Sequence, residues 1–149
     1  MAQTYIGSTL RTGSGTLTDT TDGGFVVVSQ TTTVTTVAAG TASSATITLP
    51  ASSQIINFFV DTVQDEAVGG GTATAIAMTI GTAAAGTQYV SSTDVIGGGR
   101  IALTFTAAQL AAMANVGTST SVVITVDPNG TISTTQGIYR LTVVYAQKV

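Results

Sequence analysis

The chain has no cysteine, no histidine and no tryptophan, and only 7% of its residues are charged. Soluble domains commonly carry about a quarter charged residues, so the deficit is large. Each absence removes a class of function. Without Cys or His there are no thiolate or imidazole ligands for zinc, haem or iron–sulfur clusters, and no Ser–His–Asp or Cys–His machinery. No disulfide framework can form, and cysteine usage says nothing of redox compartment. Lys and Arg together number 4, too few for the basic footprint of a nucleic-acid binder. A membrane-spanning helix needs about 20 apolar residues, whereas the most apolar stretch, Ile55 to Val60, is short and interrupted by Asn57. Residues Met1 to Ser8 have neither a basic n-region nor an apolar h-region, so no secretory signal is expected. These absences predict a chain that is not an enzyme, with no catalytic residues, no cofactor, no metal site and no membrane or nucleic-acid partner.

What is present defines a class. The 149 residues are 44% hydrophobic and carry a net charge of −3. This is the size of one domain, able to bury roughly two-thirds of its unfolded surface. Its apolar share is too high for a disordered chain. Threonine supplies about a fifth of the residues, far above its ordinary share, beside 17 glycines. Thr is β-branched and favours strands, and Gly supplies turns. The composition reads as all-β.

Residues 1–23 are polar and rich in Gly, Ser and Thr. They read as an extended N-terminal arm, either lacing onto neighbouring subunits or fraying as a terminus. Residues 24–149 read as a single domain. Phe25 to Gln30 is a short apolar run of the kind found in a strand buried on both faces, and Thr31 to Val37 extends it after a bend. Ala45 to Leu49 alternates with Ile47 and Leu49 inward and stops at Pro50. In Gln54 to Val63 the better core face is Ile56, Phe58 and Val60. Thr74, Ile76, Met78 and Ile80 share a face, Gln88 to Val90 forms a short strand, and Arg100 to Phe105 alternates with Ile101, Leu103 and Phe105 inward. Near 107–114 the Ala-rich segment predicts one short helix. Thr106 and Gln109 form its capping box, and Leu110, Met113 and Ala114 fall on one helical face. Val122, Ile124 and Val126 align on the next strand, and Asp127 to Gly130 has turn chemistry in which Asn-Gly accepts positive φ. Ile138 to Ala146 is the last strand, with Tyr139, Leu141, Val143 and Tyr145 on one face and Ile138, Arg140, Thr142 and Val144 on the other. Seven to nine strands at this spacing predict an antiparallel β-sandwich, of jelly-roll type.

Few constellations carry chemistry. Asp61, Asp65 and Glu66 form the one acidic cluster, which reads as a solvated loop because calcium wants six to eight oxygens in a fitting geometry. No cleft supports a glycosidase dyad. Asn129-Gly130-Thr131 is formally a glycosylation acceptor but coincides with a turn. Gly69 to Gly71 and Gly97 to Gly99 lack the Lys-Ser/Thr of a phosphate loop and read as mobile loops or close-approach points at a subunit contact. Arg100 is either a lone solvated charge or an inter-subunit partner of Asp94 or Asp65.

The surface left by this composition is largely Thr, Ser, Ala and Gly, where a soluble monomer usually carries about 25–35% charged groups. Burying a neutral surface avoids the desolvation cost of charges, which suits an assembly subunit.

Particular segments point the same way. Ala45-Thr46-Ile47-Thr48-Leu49-Pro50-Ala51-Ser52-Ser53-Gln54-Ile55-Ile56 is followed by Val60-Asp61-Thr62. Ile80-Gly81-Thr82-Ala83-Ala84-Ala85-Gly86-Thr87-Gln88-Tyr89-Val90 continues to Asp94-Val95 and Gly99-Arg100. This succession resembles small virion structural proteins of tailed bacteriophages. There, a strand ending in LPA leads to one ending in VD, then to a GTA…G…Y and a DV…GR segment. The Ile138–Tyr145 strand resembles their closing strand, and the likeness spans residues 24–147. It implies a β-sandwich capsid decoration (cement) protein on the outer shell of the head, often trimeric, with the major capsid protein as partner and no catalytic residues. Such a protein is made in the host cytoplasm and resides on the virion. The contact segments expected are the arm 1–23 and the loops 64–73 and 91–100. Rival readings are a tail, neck or fibre-base subunit, an adhesin or filament subunit, and a carbohydrate-binding module that would use Tyr89, Tyr139 and Tyr145 as platforms.

Overall fold

A computed structural model of the chain describes residues 11–12, 15–16, 25–66, 71–118, 121–132 and 135–148. Within the expected arm it places only a two-residue hairpin, β1 (Arg11–Thr12) against β2 (Gly15–Thr16). The rest of residues 1–23, and Gly69 with Gly70, lie outside the described residues. There follow β3 (Phe25–Thr35), β4 (Ser43–Thr48), β5 (Gln54–Gln64), β6 (Ile76–Gly81) and β7 (Val90–Asp94). Then come α1 (Ala107–Ala114), β8 (Ser121–Pro128) and β9 (Ile138–Lys148). The chain is mostly β, in two antiparallel sheets ordered β3-β9-β5 and β4-β8-β6-β7. Among the described residues no helix is long and apolar enough to cross a membrane.

Alternation drives the two sheets together. Tyr139, Leu141, Val143 and Tyr145 of β9 face Ile47 of β4, Ile76, Met78 and Ile80 of β6, and Val122, Ile124 and Val126 of β8 across one shared core. The intervening β9 residues stay partly or fully exposed, as a period of two requires. Strand β8 is also buried on its far side at Val123 and Thr125. Residues 82–88 fold over it there: the Thr125 hydroxyl accepts from the Ala85 amide at 2.9 Å and meets Ser44 Oγ at 2.9 Å.

The pairing is nested. β3 pairs with β9, β4 with β8, and β6 with β7, while β5 is bridged at Asp61 to Arg100. The segment 99–101 thus lies along the outer edge of β5, held by Thr62 N–H to Gly99 O (2.8 Å) and Ile101 N–H to Val60 O (2.9 Å). Beyond that bridge the expected strand Arg100–Phe105 has no ladder, although Ile101, Leu103 and Phe105 do pack half-buried on the core.

Several local expectations are overturned. β3 runs unbroken through Thr35, and instead of being buried on both faces it exposes 62% of Val27. In β5 the register shifts between Ile55 and Asn57, so Ile55, Phe58 and Val60 are buried and Ile56 stands out as a bulge. The helix forms at 107–114 with its capping box intact, but it buries Gln109 and Met113, and Leu110 is exposed. Gln109 is drawn inward by hydrogen bonds: its Nε2 donates to Thr87 O (3.1 Å) and Ser91 Oγ (3.0 Å). Strand β8 continues through Pro128, and neither Asn129 nor Gly130 has positive φ.

Candidate functional site

Three charged residues meet on the outer face of the three-stranded sheet. Asp61 lies directly between Arg140 on β9 and Arg100 on the 99–101 segment, so three side chains form one cross-strand row. Arg100 Nε donates to Asp61 Oδ1 at 2.7 Å, and Arg140 Nη2 donates to Oδ2 at 3.1 Å. The Arg100 hydrogen bond, then that of Arg140, holds the Asp61 carboxyl below the usual carboxylate range, and the same pairing raises Arg100. The guanidinium of Arg100 also lies 5.0 Å over the ring of Phe59, a cation–π contact. Beside it opens a shallow, largely apolar groove of about 370 Å³, lined by Asn57, Phe59, Arg100, Leu103 and Phe105. Cross-strand position set this row, and the chain used it to clamp 99–101 onto β5.

The expected acidic cluster is dispersed. Asp61 is taken by the two arginines, and Glu66 is buried at the end of the core, where Tyr139 Oη donates to its Oε2. Among the described residues its Oε1 has no hydrogen-bond partner, nor has Thr62 Oγ1. Burial first, then the bond to Glu66, raises Tyr139 well above an ordinary phenol. Among the described residues no group of three or more acidic, His or Cys side chains is placed to hold a metal ion. The solvated-loop expectation fails at Glu66, which is buried.

Arg100 pairs within its own chain with Asp61, neither with Asp94 nor with Asp65. Asp94 Oδ1 accepts from the Ile76 and Ile96 amides at 3.1 and 3.2 Å, fixing where β6 begins and β7 ends. Gly97, Gly98 and Gly99 all have positive φ (97°, 75°, 85°), which explains a triple glycine where the chain turns from β7 to the edge of β5. A Cβ on Gly98 would lie 3.4 Å from Asp65 Oδ2, so the loops after β5 and β7 touch. Of the segment 91–100, residues 91–94 are strand rather than loop. Asn129 is a staple: its Oδ1 accepts from the Thr74 and Ala75 amides (2.7 and 3.0 Å), and its Nδ2 donates to Thr74 Oγ1 (2.8 Å). Tyr89, Tyr139 and Tyr145 are all buried, which removes them as exposed sugar platforms. Sequence reasoning missed the Asp61 row, because alternation within β5 and within β9 does not say that the two strands pair or that Asp61 falls opposite Arg140.

Comparison with protein-family models, curated proteins and solved structures returns no match.

Proposed function

We propose that the chain is a structural subunit of a tailed-phage virion: a capsid decoration protein that binds the outer shell of the head and bridges neighbouring major capsid subunits. The observation that carries this reading is a surface almost without free charge. Of the few charged groups described, Asp61 is shared by Arg100 and Arg140 in a row of net charge +1, Asp94 is spent on backbone amides and Glu66 is buried, which leaves Asp65 and Asp127 as exposed carboxylates. What faces outward is mainly hydroxyl, methyl and backbone, a surface that packs against protein without desolvating ions. Binding in this reading is a matter of area and repetition around a symmetric shell, where many modest contacts act together.

The nested pairing of β3 with β9, β4 with β8, β5 with 99–101 and β6 with β7 supports the finer fold reading, a jelly-roll β-sandwich. With 99–101 counted as a strand, each sheet has four members, as two Greek keys demand. The partners are the major capsid protein and further copies of this chain, three-fold association being what the resemblance implies. The chain is made in the host cytoplasm and resides on the virion surface.

The test uses expanded phage heads lacking this protein. Added full-length chain is expected to bind at a fixed ratio to the major capsid protein, and a chain without residues 1–20 to bind more weakly while keeping its melting temperature. Equal occupancy by the shortened chain removes the arm from the mechanism. Recovery with purified tails, necks or fibre bases in ring stoichiometry, and not with heads, overturns the head assignment in favour of another virion part.

A further inference from the structure

The two sides of the sheet pair are treated differently. On one side the edges are guarded. The outer edge of β5 is bridged by 99–101 and carries the Arg140–Asp61–Arg100 row. The short β7 ends in Asp94 and is tied at Ser91 to Gln109 of the helix. On the other side lie the edges of β3 and β4. Among the described residues no strand pairs with β3 beyond β9, nor with β4 beyond β8.

The β3 edge is long and bare. Its 11 residues, FVVVSQTTTVT, contain no charge, no proline and no glycine, and its ladder to β9 has no bulge. At about 3.3 Å per residue it offers roughly 36 Å of edge whose outward amide and carbonyl groups meet no strand among the described residues. Natural sheets usually blunt such an edge with Lys, Pro, a bulge or a covering loop, and the β5 side of this molecule does so. β4, SSATIT, is likewise uncharged.

We infer that the β3 edge is a pairing surface whose occupant is β3 of a second copy of this chain, antiparallel about a two-fold axis. Three observations select that occupant. The edge donates and accepts backbone hydrogen bonds, so the partner is an extended strand. Any register of β3 on itself avoids like charges, because β3 has none to place opposite one another. The outer row Ser29, Thr31, Thr33 then meets its own copy, as hydroxyl-to-hydroxyl pairs of the kind Thr31 already makes with Thr142 at 3.0 Å. The result joins two three-stranded sheets into one of six strands and converts an aggregation-prone edge into a closed, isologous contact. Being two-fold, it is distinct from the three-fold form that the resemblance implies.

The chain has no cysteine, so one introduced thiol reports cleanly. Full-length Thr31→Cys is expected to form an inter-chain disulfide under mild oxidation, and Ser92→Cys, on exposed β7, is not. By sedimentation the full chain is expected to be a dimer, and Ser29→Lys/Thr33→Lys, which sets four ammonium groups across the axis, to shift it at least tenfold toward monomer. Circular dichroism and the melting temperature show whether that variant remains folded, and the thiol pair needs no destabilised variant. A monomer at all concentrations overturns the inference, as does a dimer indifferent to the lysines or a cross-link at residue 92 in preference to residue 31. A trimer in solution overturns the two-fold pairing and leaves the virion reading standing. If removal of residues 1–24 abolishes association while the lysines do not, the arm rather than β3 is the occupant and the inference fails.

Discussion

At the scale of single residues, Asp61 does the most with its position. It accepts from two arginines that the sheet brings to either side of it, and it is the group whose ionisation responds to pH. Its folded pKa lies below the unfolded value of about 3.9. Its contribution to stability is therefore complete above that value and is lost as pH falls through the lower, folded one. Asp61→Asn is expected to cost on the order of 1 kcal/mol near neutrality, less in high salt, because the arginines are half-exposed and solvent-screened. The difference between wild type and variant should stay constant down to about pH 5 and shrink below about pH 4. Urea unfolding as a function of pH measures it, and a gap that widens in acid contradicts the assignment. The same row explains why 99–101 adheres to β5 with two backbone hydrogen bonds.

At the scale of elements, the faces of β5 turn on a residue inserted near its start, a second register shift lying at its far end between Thr62 and Gln64. Ile55 stands opposite Tyr145 and Asn57 opposite Val144, so Ile56 has no cross-strand partner. Deleting Ile56 leaves Ile55 inward, Asn57 outward and Phe58 inward in an unbroken alternation. That deletion is expected to fold with the same faces and a stability within about 2 kcal/mol of wild type, whereas deleting Phe59 reverses every residue on one side of the gap and unfolds the chain. Thermal melts of the two deletions decide it; failure of both to fold refutes the bulge assignment. This element also shows what the sequence discloses. Strand β9 was legible because its alternation is unbroken and one face is wholly apolar, and the helix because Thr106 and Gln109 make its cap. The faces of β5 were not legible, since a period of two carries no mark of an insertion. The helix face was missed because Gln109 is held inside by hydrogen bonds to Thr87 and Ser91, contacts that hydrophobicity does not register. The partner of Arg100 depended on which strand came to lie beside it, 39 residues away.

At the scale of the whole molecule, the scarcity of charge becomes a statement about how the surface associates. Only 7% of residues are charged, and the described ones are mostly paired, buried or bound to backbone. Contacts made by such a surface are backbone hydrogen bonds, hydroxyl pairs and methyl packing, none of which is weakened by screening. Salt at about 0.5 M shortens the Debye length to a few ångströms and dismantles associations that depend on exposed ions. Here it has little to dismantle, while excluded salts such as sulfate strengthen burial. The association constant of the full chain, for its own copies or for phage heads, is therefore expected to change less than about threefold between about 0.05 and 0.5 M sodium chloride and to rise in ammonium sulfate. Analytical ultracentrifugation across that range measures the first, and head-binding titrations the second. A steep fall with sodium chloride would mean that exposed Asp65, Asp127 or the Asp61 row contributes across an interface, and the neutral surface would then not be what holds the assembly together.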